Sequence, residues 1–228
     1  MPQQSSRPRL VGAKVRERTS RAGADPEKRS RILKAAILIF GRRGFHEARV
    51  AEIARAAGVA DGTVYLYFEN KEDLLGCIFD ETMDAALARM RQILEAEGPA
   101  AERLTRMVDL HLTLLSSDRA LASVFQIELR RSARLVERFS RSKLGEYLRI
   151  LESVVQEGID KEELRKDLEP RLAVRMIFGA IDEILSEWLL SGAAIPIADG
   201  PKLVGTLLRG LGSGKTPLPK AIARPPSA

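Results

Sequence analysis

The densest chemistry in the chain lies in VADGTVYLYFENK, residues 59–71. Tyr65, Tyr67 and Phe68 stand within four positions of one another, in a protein of 228 residues with 7 Phe, 3 Tyr and 1 Trp. A tyrosine combines an apolar ring with a polar tip. Thr63 adds a hydroxyl, and Lys71 and Arg49 add cations on either side. Hydroxyls, phenols and cations gathered in a short stretch are the groups that hold phosphate and sugar oxygens. Charge agrees with that chemistry. Residues 1–71 hold 15 Lys+Arg and 7 Asp+Glu, a net of +8, whereas residues 72–228 hold 22 and 24, a net of −2. The whole excess of the +6 chain therefore sits at one end, which suits a polyanion partner and equally a basic tail that contacts nothing.

These groups need short helices to present them. Val50–Ala57 and Asp61–Phe68 read as two helices with Gly58 between them. A small residue such as Ala54 lets the pair cross closely, and glycine takes the φ > 0 position of the turn. Ile53, Val59 and Val64 fill the space between the two. Gly62, Thr63, Tyr65 and Tyr67 then lie at the start and outer side of the second helix, the part that a helix-turn-helix inserts into the major groove. By spacing alone the unit is either such a reader or an ordinary helical corner.

Around it the pattern is helical throughout. Asp25 caps a helix over 25–43, with Pro26 at its first position. Asn70 caps a long helix reaching about residue 97, where Gly98-Pro99 closes it. Further helices are expected over about 100–116, 118–130, 133–157, 170–190 and 200–210, with breaks near Ser116-Ser117, Gly158, Pro170 and Gly192 to Pro196. No strand pattern stands out. Residues 1–24 read as a disordered basic arm and 213–228 as a disordered tail. No run of about 18 apolar residues exists, so no membrane span is expected. Cys77, the single cysteine, can form no internal disulfide, which fits a reducing cytoplasm.

The stretch RILKAAILIFGRRGFHEARVAEIARAAGVADGTVYLYFENKEDLL, 31–75, resembles the N-terminal domain of the TetR family of bacterial transcriptional repressors. The landmarks occur in order: Ala35-Ala36 and Phe40, Gly44-Phe45, Ile53-Ala54, Ala57-Gly58-Val59, Gly62-Thr63, Tyr65-x-Tyr67-Phe68, Lys71 and Leu74-Leu75. The resemblance implies an all-α homodimer of about nine helices. A three-helix helix-turn-helix head (25–72) would bind a double-stranded DNA operator, and a helical-bundle body (73–212) would bind a ligand and dimerise. It assigns DNA contacts to Arg49, Gly62, Thr63, Tyr65, Tyr67 and Lys71, while Phe68 packs inward against Phe40 and Leu74. Two departures stand out. The family often has Thr where this chain has Ala48 and Arg49, and Ser where it has Ala60. Asp61 is therefore expected to cap the recognition helix in place of a hydroxyl.

SVFQIELRRS (123–132) together with YLYFENKEDLL is similar to the fatty-acid-responsive branch of that family, whose members release DNA on binding long-chain acyl-CoA. That resemblance makes a small hydrophobic effector, long-chain acyl-CoA first, the expected ligand, and no cofactor is expected. Phe125, Leu129, Ile177, Ile181 and Trp188 could line an acyl tunnel. Arg130, Arg131 and Arg134 could meet the CoA phosphates. The alternative is a regulator of an efflux or other metabolic gene sensing a different apolar ligand. The 170–190 helix, with Gly179-Ala180 midway, and the 200–210 helix, with Val204, Leu207 and Leu208, are expected to form a four-helix dimer interface.

Other chemistries find less support. GLGSGKT (210–216) lacks the first glycine of a phosphate-binding loop, since Arg209 stands in its place. His46 and His111, the 2 histidines, lie in different regions, and no metal spacing, nucleophile elbow or carboxylate pair is evident. An enzyme is therefore not expected.

Overall fold

The computed structural model describes residues 25–128, 143–192 and 200–211. The expected arm and tail lie outside these residues, as do the first ten positions of the helix expected over 133–157. Nine helices and no strand occupy the described residues. They are α1 (Pro26–Arg43), α2 (Val50–Ala57), α3 (Asp61–Tyr67), α4 (Lys71–Glu95), α5 (Ala100–Ser116), α6 (Arg119–Ser123), α7 (Gly145–Asp160), α8 (Pro170–Ser191) and α9 (Gly200–Leu211). A π-helical turn, Val124–Glu128, continues α6.

Local chemistry sets the boundaries. The Asp25 carboxylate accepts from the Glu27 N–H at 2.9 Å and starts α1 ahead of Pro26. Gly58 stops α2 in the left-handed region, φ 66 and ψ 39, a conformation that costs any residue with a Cβ. The Asn70 side chain caps α4 at the Asp73 N–H, 2.7 Å away. Asp118 caps α6 at the N–H groups of Ala120 and Leu121.

Two expectations fail for identifiable reasons. Gly158 does not break its helix; α7 runs on to Asp160. The glycine serves packing instead, because a Cβ there would lie 2.8 Å from the Ala100 Cβ, so α7 and α5 cross closely at this point. Asp61 does not cap α3 either. It is the first helical residue, and Ala60 is the cap residue without a side-chain bond. Its carboxylate still sits where the helix dipole favours negative charge.

α1, α2 and α3 close over Ile32, Phe40, Ile53, Val64 and Phe68, each at most 2% exposed. The lower part of α4 belongs to the same core through Leu74 and Leu75, both 0% exposed. The rest of α4 packs with α5 and α7, and α5 lies against α7, α8 and α9. Head and body form one continuous core. Beyond shared packing, Arg29 of α1 pairs with Glu81 of α4, and α1 packs on α6. None of the described helices is long and apolar enough to cross a membrane.

Candidate nucleic-acid interface and effector site

α3 is too short to be stable alone, since isolated helices under about 12–15 residues are marginal in water. It is held by its neighbours. Val64 is 1% exposed, Phe68 2%, and the Arg29 guanidinium covers the Phe68 ring at 5.4 Å. The Val59 N–H donates to the Ala54 carbonyl at 3.0 Å and fixes the turn from α2. With one side anchored, the other faces water: Tyr65 is 51% exposed and Leu66 61%. Gly62 is exposed, and a Cβ there would meet nothing within 4 Å. Thr63, half-buried, lies on the first turn beside it. The outward surface of α3 is therefore Gly62, Tyr65 and Leu66, with Thr63 at its edge.

The remaining expected DNA residues have structural partners as well. The Tyr67 hydroxyl accepts from the Asp25 N–H at 3.2 Å, tying α3 to the start of α1. The Lys71 ammonium donates to the carbonyls of His46 at 2.9 Å and Ala48 at 3.2 Å, and lies 4.7 Å above the Phe45 ring. An ammonium carries three N–H donors, and the two carbonyls take two of them. Arg49 is exposed at the start of α2, where its N–H donates to the Glu52 carboxylate at 3.2 Å. Ala48, standing where a hydroxyl is usual, is 4% exposed and packs inward. The 44–49 loop is thereby a folded unit whose exposed cation is Arg49.

In the body, Ile177, Ile181 and Trp188 are at most 5% exposed and form part of the core along the inner face of α8. The Trp188 ring is covered by the Arg119 guanidinium at 5.1 Å. Phe125 is half-buried and stacks on Phe79 of α4 with centroids 5.5 Å apart. Leu129, Arg130, Arg131 and Arg134 lie outside the described residues.

Sequence reasoning missed a polar core between α5, α7 and α8. His111 Nδ1 lies 2.7 Å from the Tyr147 hydroxyl, and both rings pack edge-on against Phe178. Burial pushes His111 down to about 4, with the Asp182 carboxylate pulling the other way, and pushes Tyr147 upward. At neutral pH the bond joins two uncharged groups. Only the placement of His111 between Leu110 and Leu112 hinted at this. Glu128 and Gln126, 5% and 8% exposed, were also overlooked because nothing in the sequence marks a buried polar side chain on a helix.

Comparison with known proteins covers both the helix-turn-helix region and the helices after it. Residues 32–77 match the family described as bacterial regulatory proteins, tetR family, and residues 79–209 match the YsiA-like protein, C-terminal region. The chain belongs to the TetR family. This TetR-family chain is 40% identical over 164 residues to the fatty acid metabolism regulator protein of Bacillus subtilis, covering 72% of this chain and 84% of that one. Its fold is similar to that of the transcriptional regulator FadR from Bacillus subtilis, crystallised with stearoyl-CoA, at 37% identity and a TM-score of 0.75 over 80% of this chain and 99% of that one. The fatty acid degradation regulator FadR from Bacillus halodurans is similar at 36% identity and a TM-score of 0.74, over 80% and 99%. This TetR-family chain is a DNA-binding transcriptional regulator.

Proposed function

We propose that the protein is a cytoplasmic homodimeric repressor that binds a palindromic operator and releases it when long-chain acyl-CoA enters the body. The observation that carries this reading is the 40% identity, over most of its length, to a fatty acid metabolism regulator. The likeness to a FadR crystallised with stearoyl-CoA supports the effector class.

Residues 25–72 bind DNA in this reading, and 73–212 bind effector and dimerise. Thr63 and Tyr65 meet bases or phosphates from α3, and Gly62 lets the backbone come close. Arg49, Tyr67 and Lys71 hold phosphates. The exposure of Tyr65 and Arg49 favours these roles. In the body, Phe125, Leu129, Ile177, Ile181 and Trp188 border the acyl chain, and Arg130, Arg131 and Arg134 meet the CoA phosphates. The protein acts by binding and population shift rather than by catalysis.

The dimer uses α8 and α9. Leu172 is 53% and Met176 44% exposed on the outer side of α8, and a Cβ at Gly179 on the same side would meet nothing within 4 Å. Between these helices runs an open groove of about 580 Å³ lined by Leu168, Leu172, Met176, Thr206 and Leu207 among others. An apolar strip beside open space is what a second copy would cover.

Footprinting on DNA flanking the protein's own gene, with mass spectrometry of ligand co-purified from cells, tests the reading. A protected inverted repeat and an acyl-CoA mass are the expected results. A protected site with a drug-like ligand would move the regulator to an efflux role, and no protected site would remove the operator.

A further inference from the structure

A buried carboxylate joins the effector side of the body to the DNA-binding head. Glu128 ends the π-helical turn after α6 and is 5% exposed. Its Oε2 accepts from the Phe45 N–H at 2.7 Å. Phe45 stands at the start of the 44–49 loop that hands the chain from α1 to α2. Gly44, beside Phe45, has φ 81, a backbone conformation that would strain a residue with a Cβ. The other side of this loop is held by the Lys71 ammonium through the carbonyls of His46 and Ala48. The loop that positions Arg49 is thus gripped between the body and the start of α4.

Three observations make this grip a transmission point. π turns arise where a helix carries an inserted residue, and they cluster at functional sites. Within this turn, Gln126 is 8% exposed and its buried Oε1 has no hydrogen-bond partner among the described residues, while Phe125 stacks on α4 through Phe79. At the other end of the element, α6 meets α1 without slack: a Cβ at Gly41 would lie 2.6 Å from the Ala120 Cα. Packed interiors transmit displacement rather than absorb it. A shift of α6 therefore reaches the head at two places, and Glu128 is the one that acts through a directed bond.

We propose that Glu128 is a positioning residue that couples effector binding to DNA release by holding the Phe45 N–H. Effector beside the π turn moves the carboxylate, and the 44–49 loop with Arg49 moves with it. The proposal rests on the effector reading above.

The test uses the full chain, a labelled operator and stearoyl-CoA. The readout is the ratio of operator Kd with saturating stearoyl-CoA to operator Kd without it. In Glu128→Ala that ratio should fall about tenfold or more, while the affinity of DNA-free protein for stearoyl-CoA stays within about threefold. Glu128→Gln keeps an oxygen able to accept the Phe45 N–H and should retain the ratio within about threefold. A merely structural role would lower the melting temperature without changing the ratio. If the alanine variant does not fold, Glu128→Asp withdraws the acceptor by one methylene and should lose the ratio in its place. An undiminished ratio in the alanine or aspartate variant overturns the proposal, and so does a glutamine variant as unresponsive as alanine. A ratio of one in the wild-type protein would instead sink the effector reading, and this inference with it.

Discussion

α3 and α8 are both amphipathic helices that leave large apolar side chains in water, but they do so for different reasons. α3 has 7 residues, buries Val64 alone, and exposes Tyr65 and Leu66 at its middle. α8 has 22 residues, buries Ala173, Val174, Ile177, Ile181, Leu185 and Trp188, and exposes Leu172, Met176 and Leu190. The short helix contributes little to the core and is held by residues on either side of it, so its outer surface is available for recognition. The long helix is part of the core, and any binding on its inner face must use the same side chains that hold the fold. On α3 the exposed face is separate from the core, whereas on α8 the inner face is the core.

Core truncation should give the largest effect. Phe40 is 0% exposed at the centre of the head and meets Phe45 edge-on at 5.3 Å. Phe40→Ala should cost about 3–5 kcal/mol in urea unfolding, whereas Tyr65→Ala, on the open face of α3, should change stability by less than about 0.5 kcal/mol. Similar costs for the two would erase the distinction drawn for the head.

Next comes the polar core of the body. His111 is held near 4 by burial, below its ordinary 6.5. Between those values the unfolded chain binds more protons than the folded one. The stability that neutral His111 contributes is therefore present above pH 6.5 and is lost as pH falls towards 4, by at most about 1.4 kcal/mol per pH unit. Urea titrations across pH 4–7 should show that slope, and His111→Phe should remove it. A slope unchanged in the variant would place its source elsewhere.

In the head, Lys71→Ala should weaken operator binding about tenfold for all sequences and reduce the salt slope by about 0.9. Because Lys71 also ties the 44–49 loop, a loss of affinity with an unaltered salt slope would assign it to loop positioning alone. The smallest effect on folding is expected at the outer strip of α8. Leu172→Glu with Met176→Glu should leave the helical content unchanged, with each exposed substitution within about 0.5 kcal/mol in the isolated subunit. The mass seen by light scattering should halve. A dimer that survives would move the interface away from this strip.

The same contrast explains what the sequence revealed. α1 was legible from Asp25 and Pro26, and the α2–α3 turn from Gly58, because caps and turns depend on residues a few positions apart. The landmarks of the head lie within 45 residues and carry the family with them. The body was legible as helices but less so as a site. Ile177, Ile181 and Trp188 follow helical spacing whether they line a tunnel or fill a core, and the structure buries them all. Gly158 read as a stop because the close approach of Ala100 involves a residue 58 positions away. Glu128 was opaque for the same reason: its partner, Phe45, is 83 positions distant. Asp61 was misjudged by one residue, enough to turn a cap into a first helical position.

Fluorescence anisotropy of a labelled operator bound to the full-length protein, titrated with acyl-CoAs from octanoyl to stearoyl, addresses both regions in one measurement. Operator should be released by the long chains, most effectively by stearoyl-CoA and far less by octanoyl-CoA, with CoA alone inactive. An operator complex that persists at saturating concentrations of every chain length would contradict an acyl-CoA-responsive repressor.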